Sequence, residues 1–301
     1  MTKTVVQPLD SYRLAEYAKS FDCYVCEGAN AVDADMCRHC MAPMALSHQA
    51  TSQHVRPHLI AVIGSPNAGK TVYLGMLTDM LSRRHYDLQL LGRGAFSIRL
   101  QQNTISALAR GEFPDRTSEQ PDHWDWVHCQ VHQSRRPPTE MIIPDISGEC
   151  MIEEIEHPNS FPSIQSFLRK CSGLLLLVDS SRLEEGELDQ DFLPMKIVSY
   201  LSELEPKRRK GWGNRPVGIV YTKADQSSVM YADPVSYAAT HTPGLVRICS
   251  QRFKRVEYFA TSVAGRCGIY GSENSPYPVP LRVEPNGIVE PFRWLVKRLS
   301  R

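Results

Sequence analysis

The sequence predicts an α/β protein whose mainly parallel sheet carries helices on both faces, preceded by a small module built on four cysteines. Two observations carry this. From residue 58 onward short apolar runs alternate with helical periods, and strand–helix alternation is satisfied by a parallel sheet covered on both sides. Upstream, two C-x-x-C pairs separated by ten residues sit in a segment poor in aliphatic side chains.

Residues 1–20 read as an N-terminal segment. Cys23, Cys26, Cys37 and Cys40 then form two knuckles whose thiolates can close a tetrahedron around zinc, which predicts a zinc ribbon over residues 21–43. Redox chemistry is the rival reading of C-x-x-C, and two copies this close favour the metal. His39 could compete as a ligand, but four thiolates already satisfy zinc. Residues 44–57 are largely polar and have no hydrophobic period, so they read as a linker.

Strands are expected at residues 58–63 (HLIAVI), 126–131, 140–143, 173–179 (GLLLLVD), 217–221 (VGIVY) and 256–260 (VEYFA). Between them Leu74, Leu77, Thr78 and Leu81 share a helical face, as do Ile197, Leu201 and Leu204. Phe292, Leu295, Val296 and Leu299 share another, with Pro291 where a first helical turn tolerates it. His123, Trp124, Trp126 and His128 read as core and edge packing. The run Lys207-Arg208-Arg209-Lys210 reads as a solvated turn.

Composition excludes several classes. Lys plus Arg (34) nearly balances Asp plus Glu (33), leaving a formal charge of +1, a globular composition that by itself says nothing about nucleic acid or membrane. No stretch approaches the roughly 18–20 apolar residues of a membrane span, and residues 1–13 lack a secretory apolar core. Five cysteines outside the knuckles are scattered singly, and a reducing cytoplasm is expected.

The chemistry begins at GSPNAGKT, residues 64–71, which fits G-x-x-x-x-G-K-[ST] at every fixed position, with a strand running in and a helix running out. In such a phosphate loop Gly64, Asn67, Ala68 and Gly69 present backbone N–H groups to phosphate oxygens. Lys70 would reach the β and γ phosphates, and the Thr71 hydroxyl would bind magnesium.

Three further boxes follow in order. IIPDISGE supplies Asp145 for magnesium, through water, and the Gly148 amide for a γ-phosphate. IVYTKAD supplies Thr222, Lys223 and Asp225: the carboxylate can accept from the two nitrogen donors of guanine, and the lysine can lie along the base. Adenine offers no such pair, and a site built for it can reject the wrong base by about 10⁴–10⁵. ATSV places Thr261, Ser262 and Val263 where backbone can face the base oxygen.

The order GSPNAGKT, DISGE, TKAD, ATS resembles the translation-factor-related class of GTPases in its Ras-like branch, over about residues 58–300. With the zinc module, the HLIAVIGSPNAGKTVYL start and the closing IVEPFRWLVKRL helix, it is similar to the double-GTPase family of bacterial conflict systems. That resemblance implies a P-loop domain over residues 58–301, GTP or GDP with magnesium as ligands, and a switch working beside protein partners.

Departures from the pattern shape the expected activity. Ras-like enzymes place a water-orienting glutamine after D-x-x-G, and here Glu149 stands there. A carboxylate accepts but cannot donate as an amide does. GTP hydrolysis to GDP and phosphate is therefore expected to be slow or dependent on an activating protein; Glu149 as a plain surface residue is an equal reading. Among Thr104, Thr117 and Thr139, Thr117 is the candidate for the first switch threonine and a magnesium ligand. The long interval between Lys70 and Asp145 suggests an insertion near residues 85–113.

The expected catalytic set is thus Lys70, Thr117, Gly148 and Glu149. The ribbon is expected to contact protein, with no specific nucleic acid. Two other functions fit less well: a nucleotide-binding structural protein that hydrolyses nothing, and a zinc-ribbon nucleic-acid binder with an ATPase domain. The TKAD box and the balanced charge argue against the second.

Overall fold

The computed structural model describes residues 20–52, 54, 56–83, 87–134, 136–187, 189–204, 211–226, 228–272 and 275–299. Residues 1–19, Lys207–Lys210 and part of the expected insertion therefore lie outside the described residues.

Seven strands form the central sheet: β3 (His58–Gly64), β4 (Leu88–Gly92), β5 (Trp126–Gln133), β6 (Thr139–Pro144), β7 (Gly173–Asp179), β8 (Val217–Thr222) and β9 (Val256–Ala260). Their order is β4-β5-β6-β3-β7-β8-β9. The pairs from β6 through β9 are parallel; β4 and β5 add an antiparallel edge. All six expected strands form, and β6 tolerates Pro144 at its end, opposite Trp126.

Side-chain alternation along β3 sorts the core into two layers. Ile60 and Val62 face α2 (Lys70–Ser82), α3 (Ala95–Ala109) and α11 (Val289–Leu299) through Leu74, Leu77, Leu100, Phe292 and Leu295. Leu59, Ala61 and Ile63 face the other way, into a layer with α4 (Gly148–Glu156), α5 (Pro162–Lys170), α7 (Asp189–Leu204) and α10 (Pro243–Arg252). The remaining short helices are α6 (Ser180–Glu184), α8 (Ser228–Ala232) and α9 (Pro234–His241). Each expected helical face is turned inward, with Leu204 and Leu299 at its margin.

Two regions differ from the sequence expectation. Within residues 44–57, expected as a linker, Met44–Ser52 form helix α1, whose Met44, Leu46, Ser47 and Ala50 are buried. Met44 and Leu46 join the core that the ribbon shares with the sheet. The Tyr24 amide donates to Ser47 Oγ at 2.8 Å, and Gln49 Oε1 lies 2.6 Å from Nδ1 of buried His128. The ribbon, with short strands β1 (Phe21–Asp22) and β2 (Ala29–Asn30), is bound down by Lys170 Nζ donating to Tyr24 O at 3.0 Å and pairing with Glu27.

Within the described part of 85–113, expected as an insertion, β4 pairs antiparallel with β5 at the edge of the sheet and α3 packs against α2. Ser262–Ser272 and Ser275–Asn286 form a two-stranded antiparallel hairpin, β10–β11, outside the main sheet. It shows no alternation in sequence, and among its described residues Ile269, Tyr270, Leu281 and Val283 are exposed apolar side chains. Trp124, Trp126 and His128 are buried, as packing residues should be.

The docked helix α1 yields a stability test. Leu46→Ala, at a fully buried position, should cost about 2–5 kcal/mol in urea unfolding, whereas a solvated linker would register almost nothing.

Candidate functional site

The phosphate loop joins the C-terminal end of β3 to α2, at the edge of the sheet where the parallel strands end. Asn67 and Gly69 are left-handed (φ 63° and 81°), which turns successive amides to one side of the loop. Lys70 is almost fully buried, and its Nζ donates to the Gly64 and Ser65 carbonyls at 3.3 and 3.0 Å. Burial pushes this ammonium below its usual pKa, opposed by the nearby Asp145 and Glu149 carboxylates. The remaining loop position, Ala68, is buried beneath it.

The D-x-x-G strand and the loop before β5 converge on the start of α2. Thr71 Oγ1 donates to Asp145 Oδ2 at 2.8 Å, Thr117 Oγ1 donates to the same oxygen at 2.9 Å, and the two hydroxyls stand 3.0 Å apart. Asp145 is 2% exposed, and its Oδ1 is without a hydrogen-bond partner. Desolvation drives its carboxyl above the ordinary range, against the two hydroxyl bonds and Lys70, which pull it down. Two threonine hydroxyls gathered on Asp145 Oδ2, with Oδ1 of the same buried carboxylate left unbonded, form a hard-oxygen set that fits a magnesium ion, either directly or through water. Neither Thr104, buried on α3 against Gly75, nor Thr139, at the start of β6, approaches this cluster.

Gly148 opens α4 hard against the phosphate loop: a Cβ there would stand 2.6 Å from the Pro66 nitrogen, so any side chain would push the two loops apart. Glu149 lies one residue on, its Oε2 accepting from Ser147 Oγ at 3.0 Å. Cys150 Sγ donates to the Glu119 carbonyl at 3.1 Å, which ties the loop carrying Thr117 to the helix carrying Gly148.

At the other end of the cleft, β8 delivers the TKAD turn. Thr222 Oγ1 donates to Val178 O at 3.2 Å, and the Thr222 carbonyl accepts from Ser180 Oγ at 2.6 Å. Lys223 has a left-handed backbone (φ 59°), a strained conformation for a side-chain-bearing residue, and pairs with fully buried Asp179. Asp225 is half-buried and raised in pKa by desolvation, against its own backbone amide and Lys223. The ATSV segment is bonded to this turn: the Ala224 amide donates to Thr261 O at 3.1 Å and the Thr261 amide to Tyr221 O at 2.8 Å. Ser262 accepts from Tyr231 at 2.8 Å, and Val263 is half-buried.

Two contributors were not read from sequence. Asp179 anchors Lys223, and Gln190 accepts from Ser65 Oγ at 3.0 Å behind the phosphate loop. The first had a signal, a lone acid ending the apolar run GLLLLVD. The second, an isolated glutamine on α7, had none.

In the ribbon, Cys23–Cys40 and Cys26–Cys37 sulfurs are 3.6 and 3.5 Å apart, and all four lie within 4.8 Å of one another. Zinc bonds of about 2.3 Å set tetrahedral edges near about 3.8 Å, so the set fits zinc. The Gly28 and His39 amides and Asn30 Nδ2 point at Cys26 and Cys37 sulfurs, the outer-shell donors that thiolate–metal sites use. The His39 ring turns away, toward the Ala29 carbonyl.

A sheet of this order, with this loop at the carboxyl end of its central strand, has the arrangement of a Ras-like P-loop fold. Residues 61–210 match the family model described as Double-GTPase 1, and the chain resembles that family over this stretch. No curated protein matches the chain. Among solved structures, the Arl6 BBS3 small GTPase of Trypanosoma brucei is similar at 14% identity and a TM-score of 0.45, covering 81% of this chain and 98% of that one. The GTPase-like domain of S. cerevisiae Ski7 is similar at 17% and 0.45, covering 84% and 52%. An ADP-ribosylation-factor-like or Sar1 GTP-binding protein of Encephalitozoon cuniculi is similar at 14% and 0.39, covering 81% and 80%.

The cysteine geometry carries its own test. Metal analysis of the purified chain should find about one zinc, and Cys37→Ser about none, with a lowered thermal midpoint that added zinc does not restore.

Proposed function

We propose that this protein is a GTP-binding molecular switch, with slow, partner-dependent hydrolysis to GDP and phosphate. The convergence of Thr71, Thr117 and Asp145 beside Lys70 carries the reading, because those groups come from three separate segments and share no other evident task. On this reading residues 21–43 are a zinc ribbon and residues 58–301 the nucleotide-binding domain. The match to Double-GTPase 1 supports the choice of nucleotide.

Gly64, Asn67, Ala68 and Gly69 would cradle the phosphates, with Lys70 neutralising the β and γ groups as it exchanges the loop carbonyls for phosphate oxygens. Thr71, Thr117 and Asp145 would hold magnesium, which supplies charge neutralisation between the β and γ phosphates. The Gly148 amide would meet the γ-phosphate. Thr222, Lys223 and Asp225 would recognise guanine, with Thr261, Ser262 and Val263 lining its oxygen edge.

Because Thr117 and Gly148 sit on loops tied together through Cys150 and Glu119, loss of the γ-phosphate would release both loops together. A protein partner reading those loops, and a cytoplasmic setting, accompany the proposal. No helix among the described residues is long and apolar enough to cross a membrane.

A second reading, nucleotide binding without hydrolysis, is favoured by Glu149, which is engaged with Ser147 and has no amide to donate to water. Turnover separates the two. With magnesium the purified protein should hydrolyse GTP on the order of 10⁻⁴–10⁻² s⁻¹. Glu149→Gln should raise that rate about tenfold, a barrier change of about 1.4 kcal/mol. Complete absence of turnover in both proteins, with or without candidate partners, would leave the non-hydrolysing reading.

A further inference from the structure

The β10–β11 hairpin begins at Ser262, inside the ATSV segment, and returns at Asn286, so its root stands beside the base-recognition turn. Thr261 Oγ1 donates to the Asn286 carbonyl at 3.2 Å, closing that root. Gly287, left-handed at φ 67°, has no room for a side chain, since a Cβ would stand 2.1 Å from the Ala260 carbonyl. The root of the hairpin is thus packed closely against the end of β9.

A pocket of about 430 Å³ opens here, lined by Asp225 and Tyr231 on one side and by Ser262, Gly265, Glu284, Pro285 and Asn286 of the hairpin on the other. Glu284 lies across the pocket wall: a Cβ on Gly265 would meet its Oε2 at 2.2 Å, so the absence of a side chain at Gly265 leaves the carboxylate its place. The opposite oxygen, Oε1, is 3.5 Å from Arg282 Nη1 on the exposed strand. Two carboxylates, Asp225 and Glu284, thus line one pocket, an arrangement that disfavours an anion and suits a donor-rich ligand edge.

Guanine presents such an edge: one ring N–H and an exocyclic amine with two N–H bonds. Asp225 can accept from the ring N–H and one amine hydrogen, which leaves the second amine hydrogen unmatched. We propose that Glu284 accepts this remaining hydrogen, making the hairpin a second wall of the base site and Glu284 a specificity-determining residue for the exocyclic amine. The inference rests on the guanine reading above.

Inosine nucleotides lack that amine and supply the internal control. Dissociation constants for GDP, IDP and ADP are measured by displacement of a fluorescent guanine nucleotide from the full chain and from Glu284→Ala. The side chain is solvent-exposed, so its removal opens no core cavity. The variant should bind GDP about ten- to a hundredfold more weakly, as for loss of a hydrogen bond to a charged group, and IDP within about twofold of the unsubstituted chain. Equal weakening of GDP and IDP, or no weakening of either, overturns the role of Glu284. Preference of the unsubstituted chain for ADP overturns the guanine reading and this inference together, whereas a preference for GDP with an indifferent variant removes this inference alone.

Discussion

The structure is organised around charges held dry at the carboxyl end of a parallel sheet. Lys70 and Asp145 are both nearly excluded from water, and both have pKa values displaced toward their neutral forms by burial. The loop carbonyls at Gly64 and Ser65 and the two threonine hydroxyls compensate them only in part. Such groups are costly in an apolar surround, and the natural complement to the set is a polyphosphate with a divalent cation: anion for the lysine and the loop amides, cation for the carboxylate. Under the proposed function, the phosphate loop, the loop before β5 and the start of α4 would each serve that complement. The tight seat of Gly148 against Pro66 shows how little slack remains between them.

The same constraint explains the interest of the ribbon. It shares a continuous core with the face of the sheet that carries α4 and α5, through Val25, Ala42, Met44 and Leu46 alongside Ile146, Met151 and Phe167. Helix α1 reaches across to β5, where His128 stands between Gln49 and Glu140, the latter also bonded by Arg93 and Gln130. Strand β5 in turn is hydrogen-bonded to β6, which delivers Asp145. Burial and bonding of this kind make the four-cysteine module a structural part of the nucleotide-binding body rather than a tethered appendage.

Much of this was legible in the sequence where local chemistry and global fold make the same demand. The phosphate loop needs particular residues at fixed spacing, and strands such as GLLLLVD are buried on both faces and read as continuous apolar runs. Thr117 was legible for a different reason, its place before a strand that pairs with the Asp145 strand, and it stands within hydrogen-bond reach of Thr71 and Asp145. Elements whose burial comes from elsewhere left no such trace. Helix α1 is short and polar in composition, and its bonds to the ribbon and to β5 come from polar side chains, Ser47 and Gln49. Strand β4 is a short edge strand, and the β10–β11 hairpin, rich in glycine and proline, leaves Ile269, Tyr270 and Leu281 exposed. Asp179 and Gln190 reach the site through residues distant in sequence, Lys223 and Ser65.

The central claim, recognition of guanine by the TKAD turn, is tested most directly by base selectivity. A fluorescent guanine nucleotide bound with magnesium is challenged with GTP, GDP and ATP, on the unsubstituted chain and on Asp225→Ala. The account predicts displacement by GTP and GDP but not by ATP, with guanine affinity lost in the variant. Displacement by ATP alone, or equal displacement by all three with no effect of the substitution, would contradict it and leave a P-loop protein whose nucleotide is not guanine.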